Sequence, residues 1–196
     1  MDPLITANTI CAPEHLQSLL QLMCQVERLP GVVAEVGVYR GGTARLLCLN
    51  TSARVYLIDT FEGLPQEGPH DNYHHKGDFA DTSVQHVIKT LTGLGNYTIL
   101  KGEFPRQNSE ALQLQVFKLV HIDVDLYTSV RDCLAFFWPR MVSGGVIVLD
   151  DYTTPTCLGA KKATDEFLVQ NPLATMAIGP RCQAHITCTH YPSLHP

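Results

Sequence analysis

Val32-Val33-Ala34-Glu35-Val36 runs into Gly37-Val38-Tyr39-Arg40-Gly41-Gly42 and then Thr43, and this stretch decides the fold. A short apolar run closed by turn residues reads as a buried strand. Thr43 is a good N-cap, so a helix is expected to begin near it. A glycine-rich turn between strand and helix lets a ligand approach the backbone closely. The spacing here is G-x-x-x-G-G, not the dinucleotide fingerprint G-x-G-x-x-G, whose second glycine admits a pyrophosphate. It favours a nucleoside cofactor without a diphosphate. Glu35 sits near the end of an otherwise apolar strand, and a nearly buried acid needs a cationic or donor partner. The ammonium of an amino-acid-bearing cofactor would serve, and so would a structural ion pair.

Working outward, Val55-Tyr56-Leu57-Ile58 makes a second strand that ends at Asp59, where an acid can accept hydrogen bonds from both ribose hydroxyls. Two later strings end alike: Lys118-Leu119-Val120-His121-Ile122 runs into Asp123-Val124-Asp125, and Gly145-Val146-Ile147-Val148-Leu149 runs into Asp150-Asp151. Ligands bind at the carboxyl ends of the strands of an open parallel sheet, so these acids are expected to converge. Carboxylates that close repel one another. A bound divalent cation is the simplest remedy, and carboxylate oxygens suit a hard ion such as magnesium. Asp125 precedes Leu126-Tyr127-Thr128-Ser129, and for it a structural part, such as capping the next helix, is the favoured expectation.

The remaining chain fits the same plan. Helical spacing runs from Glu14 to Val26, Tyr97 to Leu100 makes a third strand, and a helix is expected over Thr82 to Leu91. Another helix carries Val130, Cys133, Leu134 and Phe137 on one face and is stopped by Pro139. After Asp151, Gly159 to Gln170 reads as helix, and Ala174–Ile178 with Gln183–Cys188 flank a Gly179-Pro180 turn as a closing hairpin. Such alternation implies an α/β, Rossmann-like, doubly wound, mostly parallel sheet with a C-terminal antiparallel hairpin. We expect a single domain over 31–196, preceded by an N-terminal helical segment, 1–30. From Thr60 to Asp81 there is no clear period. A loop of that length in a compact domain is usually a functional lid or disordered.

With 196 residues, 45% apolar and 17% charged, the chain is large enough for a substantial core and unlike a disordered one. A formal charge of −5 without a Lys/Arg cluster argues against nucleic acid as a partner. Neither a transmembrane span nor a signal-peptide pattern is visible, so the expectation is a soluble, cytoplasmic protein without a membrane partner. The seven cysteines include no C-x-x-C pair and read as reduced thiols. Of the nine histidines only His70, His74 and His75 lie close together, where a solvated loop is favoured over metal binding.

Taken together these strings carry a family resemblance. Glu35 to Thr43 resembles the first motif of class I S-adenosylmethionine-dependent methyltransferases. Asp59-Thr60-Phe61-Glu62-Gly63-Leu64-Pro65, Gly77-Asp78-Phe79, His121 to Tyr127 and Gly144 to Tyr152 are similar to the macrocin O-methyltransferase (TylF) family. The resemblance covers about residues 30 to 170. It implies methylation of a hydroxyl on a sugar or phenolic ring, with S-adenosylmethionine and magnesium. It places cofactor contacts on Glu35, Gly37, Tyr39, Gly41 and Thr43 for the methionine end, Asp59 and Thr60 for the ribose, and Gly102 and Phe104 for the adenine side. It places the metal on Asp123, Asp150 and Asp151, with Asp123 also as general base. The chemistry agrees, because methyl transfer to oxygen needs a polarised or deprotonated hydroxyl. The resemblance implies a small-molecule acceptor, one smaller than a macrolide because family members that enclose large antibiotic substrates have longer additions, and a homodimer is the default assembly. Two alternatives remain at this stage: a catalytically silent cofactor-binding protein of the same fold, or a metal-dependent glycosyltransferase using Asp123-Val124-Asp125 as its D-x-D.

Overall fold

A computed structural model describes residues 2–189; Met1 and residues 190–196, the last of which the sequence reading assigns to the main domain, lie outside the described residues. Seven strands form one sheet: β1 (Val32–Val36), β2 (Val55–Asp59), β3 (Tyr97–Lys101), β4 (Phe117–Ile122), β5 (Met141–Leu149), β6 (Ala174–Ile178) and β7 (Ala184–Cys188). Their order is β3-β2-β1-β4-β5-β7-β6. The pairs β1–β2, β2–β3, β1–β4 and β4–β5 are parallel, while β7 runs antiparallel to both β5 and β6. This is the doubly wound sheet with a closing hairpin that the sequence predicts. The strand order reverses between β1 and β4, the kind of switch point at which such sheets bind ligands.

Six helices cover the sheet: α1 (Pro3–Thr6), α2 (Pro13–Val26), α3 (Gly42–Leu49), α4 (Val84–Thr90), α5 (Tyr127–Phe137) and α6 (Leu158–Gln170). One apolar cluster joins Leu16, Leu19 and Met23 of α2 and Leu47 of α3 to Val33, Leu57 and Val148 of the sheet. The other joins Val130, Leu134 and Phe137 of α5 and Phe167 of α6 to Val120, Ile122 and Ile147. The N-terminal segment therefore shares the main core. Among the described residues no helix is long and apolar enough to cross a membrane.

Several local expectations are revised. Gly41, not Thr43, is the N-cap of α3, because its φ of +84° supplies the left-handed turn that starts the helix. Helix α4 starts at Val84 instead of Thr82, where the Ser83 hydroxyl accepts from the His86 N–H. Strand β5 begins at Met141, upstream of Gly144-Gly145, across a register shift against β4. The 60–81 stretch has no helix or strand but is cross-braced: Leu64 N–H donates to Asp78 O at 2.8 Å and Gly77 N–H to Leu64 O at 3.0 Å. Cys11, Cys24, Cys48, Cys133, Cys157 and Cys182 are free thiols.

Candidate active site

The register of the parallel strands builds the site. Val36 pairs with both Ile58 and Ile122, and Ile122 pairs with Leu149, so these four positions lie level across the sheet. The residues that follow, Gly37, Asp59, Asp123 and Asp150, are thereby delivered to one edge. They line a single cavity of about 370 Å³, in the size range of small-ligand sites. Tyr39, Thr43, Thr60, Gly102, Phe104 and Asp151 line it as well.

In the half under β1 and β2 the backbone does most of the shaping. Gly37 has φ +90°, and a Cβ there would lie 1.7 Å from the carbonyl oxygen of Asp123. The chain can turn there only because the side chain is missing. Asp59 Oδ2 accepts from Val38 N–H at 2.7 Å and Tyr39 N–H at 2.9 Å, and Oδ1 from Phe61 N–H at 2.7 Å. A carboxylate offers about four acceptor sites, so Asp59 braces the glycine turn and keeps one for a ligand hydroxyl. The Thr60 hydroxyl donates to Gly63 O at 2.7 Å. The Phe104 ring stacks on Phe137, with 5.2 Å between centroids.

Two residues assigned to the cofactor fall off the cavity wall. Gly41 lies behind it as the cap of α3. Glu35 is wholly buried and sits 3.1 Å from His121 Nδ1, the structural ion pair that the sequence left open as its alternative. Burial raises the Glu35 pKa, and the His121 bond opposes it. Glu35 Oε2 has no partner among the described residues.

The other half is built from charged side chains. Asp150 Oδ1 accepts from Gln183 Nε2 at 2.7 Å and faces His121 Nε2 at 3.5 Å, while Oδ2 meets His15 Nδ1 at 3.0 Å. Burial opposes ionisation of Asp150, but the bonds to His121 and His15 prevail and hold its pKa well below the usual range. Asp123 goes the other way: burial first, then the charges of Asp150 and Asp151, push it well up. Burial and Asp150 also raise Asp151, against a 2.9 Å bond from the Thr154 hydroxyl.

Asp125 departs from expectation. With φ +56° it turns into the cavity and does not cap α5, whose first N–H, on Tyr127, donates to Asp71 Oδ1 of the 60–81 loop at 2.8 Å. Burial and then Asp151 raise the Asp125 pKa to about 7. Oxygens of Asp123, Asp125 and Asp151 lie within 4.8 Å of one another, and Asp123 comes equally near Asp150 and the Cys11 thiol. These donors fit a hard divalent cation, since burial and the neighbouring carboxylates together already drive Asp123 toward its protonated form.

Sequence reasoning missed the contribution of the N-terminal segment, from which Asn8 to Ala12 and His15 also line the cavity. His15 carried a signal, because it lies on the apolar stripe of α2 beside Leu16 and Leu19. Cys11 and Asp125 carried none that spacing could resolve.

The strand order, the glycine turn and the acid after β2 define a class I methyltransferase fold, the S-adenosylmethionine-dependent kind. More narrowly, residues 2–178 match the family model for macrocin O-methyltransferase (TylF), and the chain belongs to that family. Its D-x-D at Asp123-Val124-Asp125 thus sits inside a methyltransferase match, and the glycosyltransferase alternative loses its ground. The 8-demethyl-8-(2,3-dimethoxy-alpha-L-rhamnosyl)-tetracenomycin-C 4'-O-methyltransferase of Streptomyces olivaceus is 27% identical over 79% of this chain and 66% of its own length. The demethyldecarbamoylnovobiocin O-methyltransferase of Streptomyces niveus is 26% identical over 86% of this chain and 70% of its own. The chain spans about two thirds of the length of these relatives. The solved structure of the O-methyltransferase NovP superposes with a TM-score of 0.80 at 23% identity, covering 93% of this chain and 83% of that one.

Proposed function

We propose that this protein transfers the methyl group of S-adenosylmethionine to a hydroxyl of a small acceptor, a sugar or phenol, with the help of magnesium. The observation that carries the reading is the strand register, which brings the glycine turn with Asp59 and the row of carboxylates onto one cavity. Gly37, Tyr39 and Thr43 border the methionine end, Asp59 and Thr60 the ribose, and Gly102 and Phe104 the adenine; Glu35 supports from beneath through His121. Asp123 is the central metal ligand, flanked by Asp150 and Asp151. The His15 and Gln183 bonds to Asp150 are the outer support that ligating carboxylates commonly have. A divalent cation bound there would lower the pKa of an acceptor hydroxyl and orient it.

The general-base task passes from Asp123 to Asp125 in this reading. One carboxylate is poorly placed to ligate a cation and also take a proton. Asp125 stands outside the proposed ligand set yet turns into the same cavity, where a carboxylate can take the proton of an acceptor hydroxyl. The twenty-odd residues of the 60–81 loop supply Leu64, Pro65, His74 and Phe79 to the acceptor side of the wall.

Calorimetry with S-adenosylmethionine and with a nucleotide sugar, each with and without magnesium, tests the class. Binding of the nucleotide sugar alone would overturn the reading. If S-adenosylmethionine binds, a panel of sugar and phenolic hydroxyls assayed for methyl uptake separates an active enzyme from a silent binder.

A further inference from the structure

The three loop histidines that lie together in the sequence part company in the fold. The His70 ring meets that of Tyr127, with 4.7 Å between centroids, and His75 Nδ1 faces Glu67 at 3.4 Å. His74 turns inward, its side chain only 14% exposed, with Nε2 3.8 Å from Asp125 Oδ1. The thiol of Cys157, just ahead of α6, donates to the same Asp125 oxygen at 3.4 Å. The ligand atoms of His74, Asp125 and Cys157 all lie within 4.8 Å of one another. We propose that these three residues form a second cation site, for a borderline-soft divalent ion of the zinc type, which fastens the 60–81 loop over the cavity.

The donor set carries the argument. Nitrogen, oxygen and sulfur together suit zinc and not magnesium, which takes oxygen ligands. A tetrahedral zinc with its usual bond lengths holds sulfur and oxygen about 3.6 Å apart and nitrogen and oxygen about 3.4 Å apart. The separations of 3.4 Å and 3.8 Å observed here need only a few tenths of an ångström of adjustment. The outer residues agree. A metal-bound histidine commonly directs its other ring nitrogen to a carboxylate, and His74 Nδ1 lies 3.5 Å from Asp78 Oδ2. Asp78 is itself fixed by the His75 N–H at 2.9 Å. Three protein ligands leave a fourth position open to the cavity.

Binding exchanges the Cys157 thiol proton, released to solvent, for a sulfur–metal bond. The three ligands come from the loop, the β4–α5 turn and the approach to α6, so an ion here adds one bond common to all three to the cap that Asp71 of the loop already gives Tyr127. It also occupies Asp125, so the proposed methyl transfer should stop while the ion is bound. That consequence rests on the role proposed above for Asp125; the ligand assignment does not. The neighbouring Cys11, Asp123 and Asp150 group shares both of its acids with the proposed magnesium edge.

Cobalt(II) is the probe, titrated into the full chain in excess magnesium and followed by absorbance. A thiolate-to-cobalt charge-transfer band should saturate at stoichiometric cobalt and vanish when zinc is added. Cys157→Ser should remove the band, Cys11→Ser should keep it, and His74→Ala should weaken cobalt binding at least about 10-fold. Absence of a thiolate band, its survival in Cys157→Ser, or its loss in Cys11→Ser would overturn the assignment. His74 sits in a loop outside the apolar core, so its variant keeps the test decisive if Cys157→Ser does not fold. Methyl transfer is not read, so this result and the methyltransferase reading stand or fall separately.

Discussion

Along the wall formed by Gly37, Tyr39 and Asp59, charge is met by backbone: one carboxylate accepts three N–H groups and shows no crowding. Along the wall formed by Asp123, Asp125, Asp150 and Asp151, charge is met by more charge: Asp150 has protein partners on both oxygens, whereas Asp151 takes one hydroxyl and Asp125 one thiol. The same sheet edge supplies both. A site that must hold one constant ligand can be cut from main chain, whereas a site that must move a proton needs carboxylates held away from their ordinary pKa values. The first half should therefore fail through shape and the second through charge.

The largest effect is expected from Gly37→Ala. The added Cβ meets the Asp123 carbonyl at 1.7 Å, and φ +90° is strained for alanine. The chain should lose at least about 3 kcal/mol or fail to fold, as read by thermal unfolding. A normal melting temperature would show that the β1 turn can be rebuilt, and the claim that shape governs this half would be broken.

Next comes Asp125→Asn, which should lower methyl transfer about 10²–10⁴-fold while leaving S-adenosylmethionine affinity, measured by calorimetry, within a factor of about two. The pKa shift adds a pH signature. The folded value of about 7 lies above the ordinary 3.8, so between these pH values the folded state binds more protons than the unfolded one. The contribution of Asp125 to stability must then fall as pH rises through that window. Asp125→Asn should remove this part of the pH dependence of the melting temperature. Undiminished transfer would return the base role to Asp123, and an unchanged pH profile would show that Asp125 does not titrate with a raised pKa in the fold.

These two residues also mark how far the sequence could be read. The strands were legible because each is a short apolar run closed by glycine or acid, and one register then carried Gly37, Asp59, Asp123 and Asp150 to one edge. Asp125 was misjudged because helix capping is a local explanation that satisfied its spacing. In the fold that cap comes from Asp71, more than fifty positions away, and no local pattern encodes it. Glu35 was legible as a buried acid, but its partner His121 lies on the neighbouring strand and depends on register. His15 and Cys11 reach the site through tertiary packing of α2, which periodicity places on a face but not against a particular strand end.

Asp59→Asn sharpens the comparison from the cofactor side. Loss of the charge weakens its bonds to the Val38 and Tyr39 N–H groups, each worth about 1.5–3 kcal/mol when the acceptor is charged. Cofactor affinity should drop about 10–100-fold, with the magnesium dependence of transfer at saturating cofactor unchanged. A shift in magnesium dependence would mean that the two halves are not independent.

The smallest expected effect joins loop to sheet edge. Asp71 is the outside cap of α5: Oδ1 accepts from Tyr127 N–H at 2.8 Å and Oδ2 from Gly68 N–H at 2.9 Å, and Leu126 at the cap position offers no side-chain acceptor. Replacing an N-cap acid by alanine costs about 1 kcal/mol, so Asp71→Ala should lower the melting temperature modestly and speed proteolytic nicking within 60–81. Asn also caps well, so Asp71→Asn should restore most of both. Cofactor affinity should stay put, because Asp71 touches only the acid side. A drop in cofactor affinity instead would mean that the loop braces the nucleoside half too, and that the division between backbone-built and charge-built walls stops at the sheet edge.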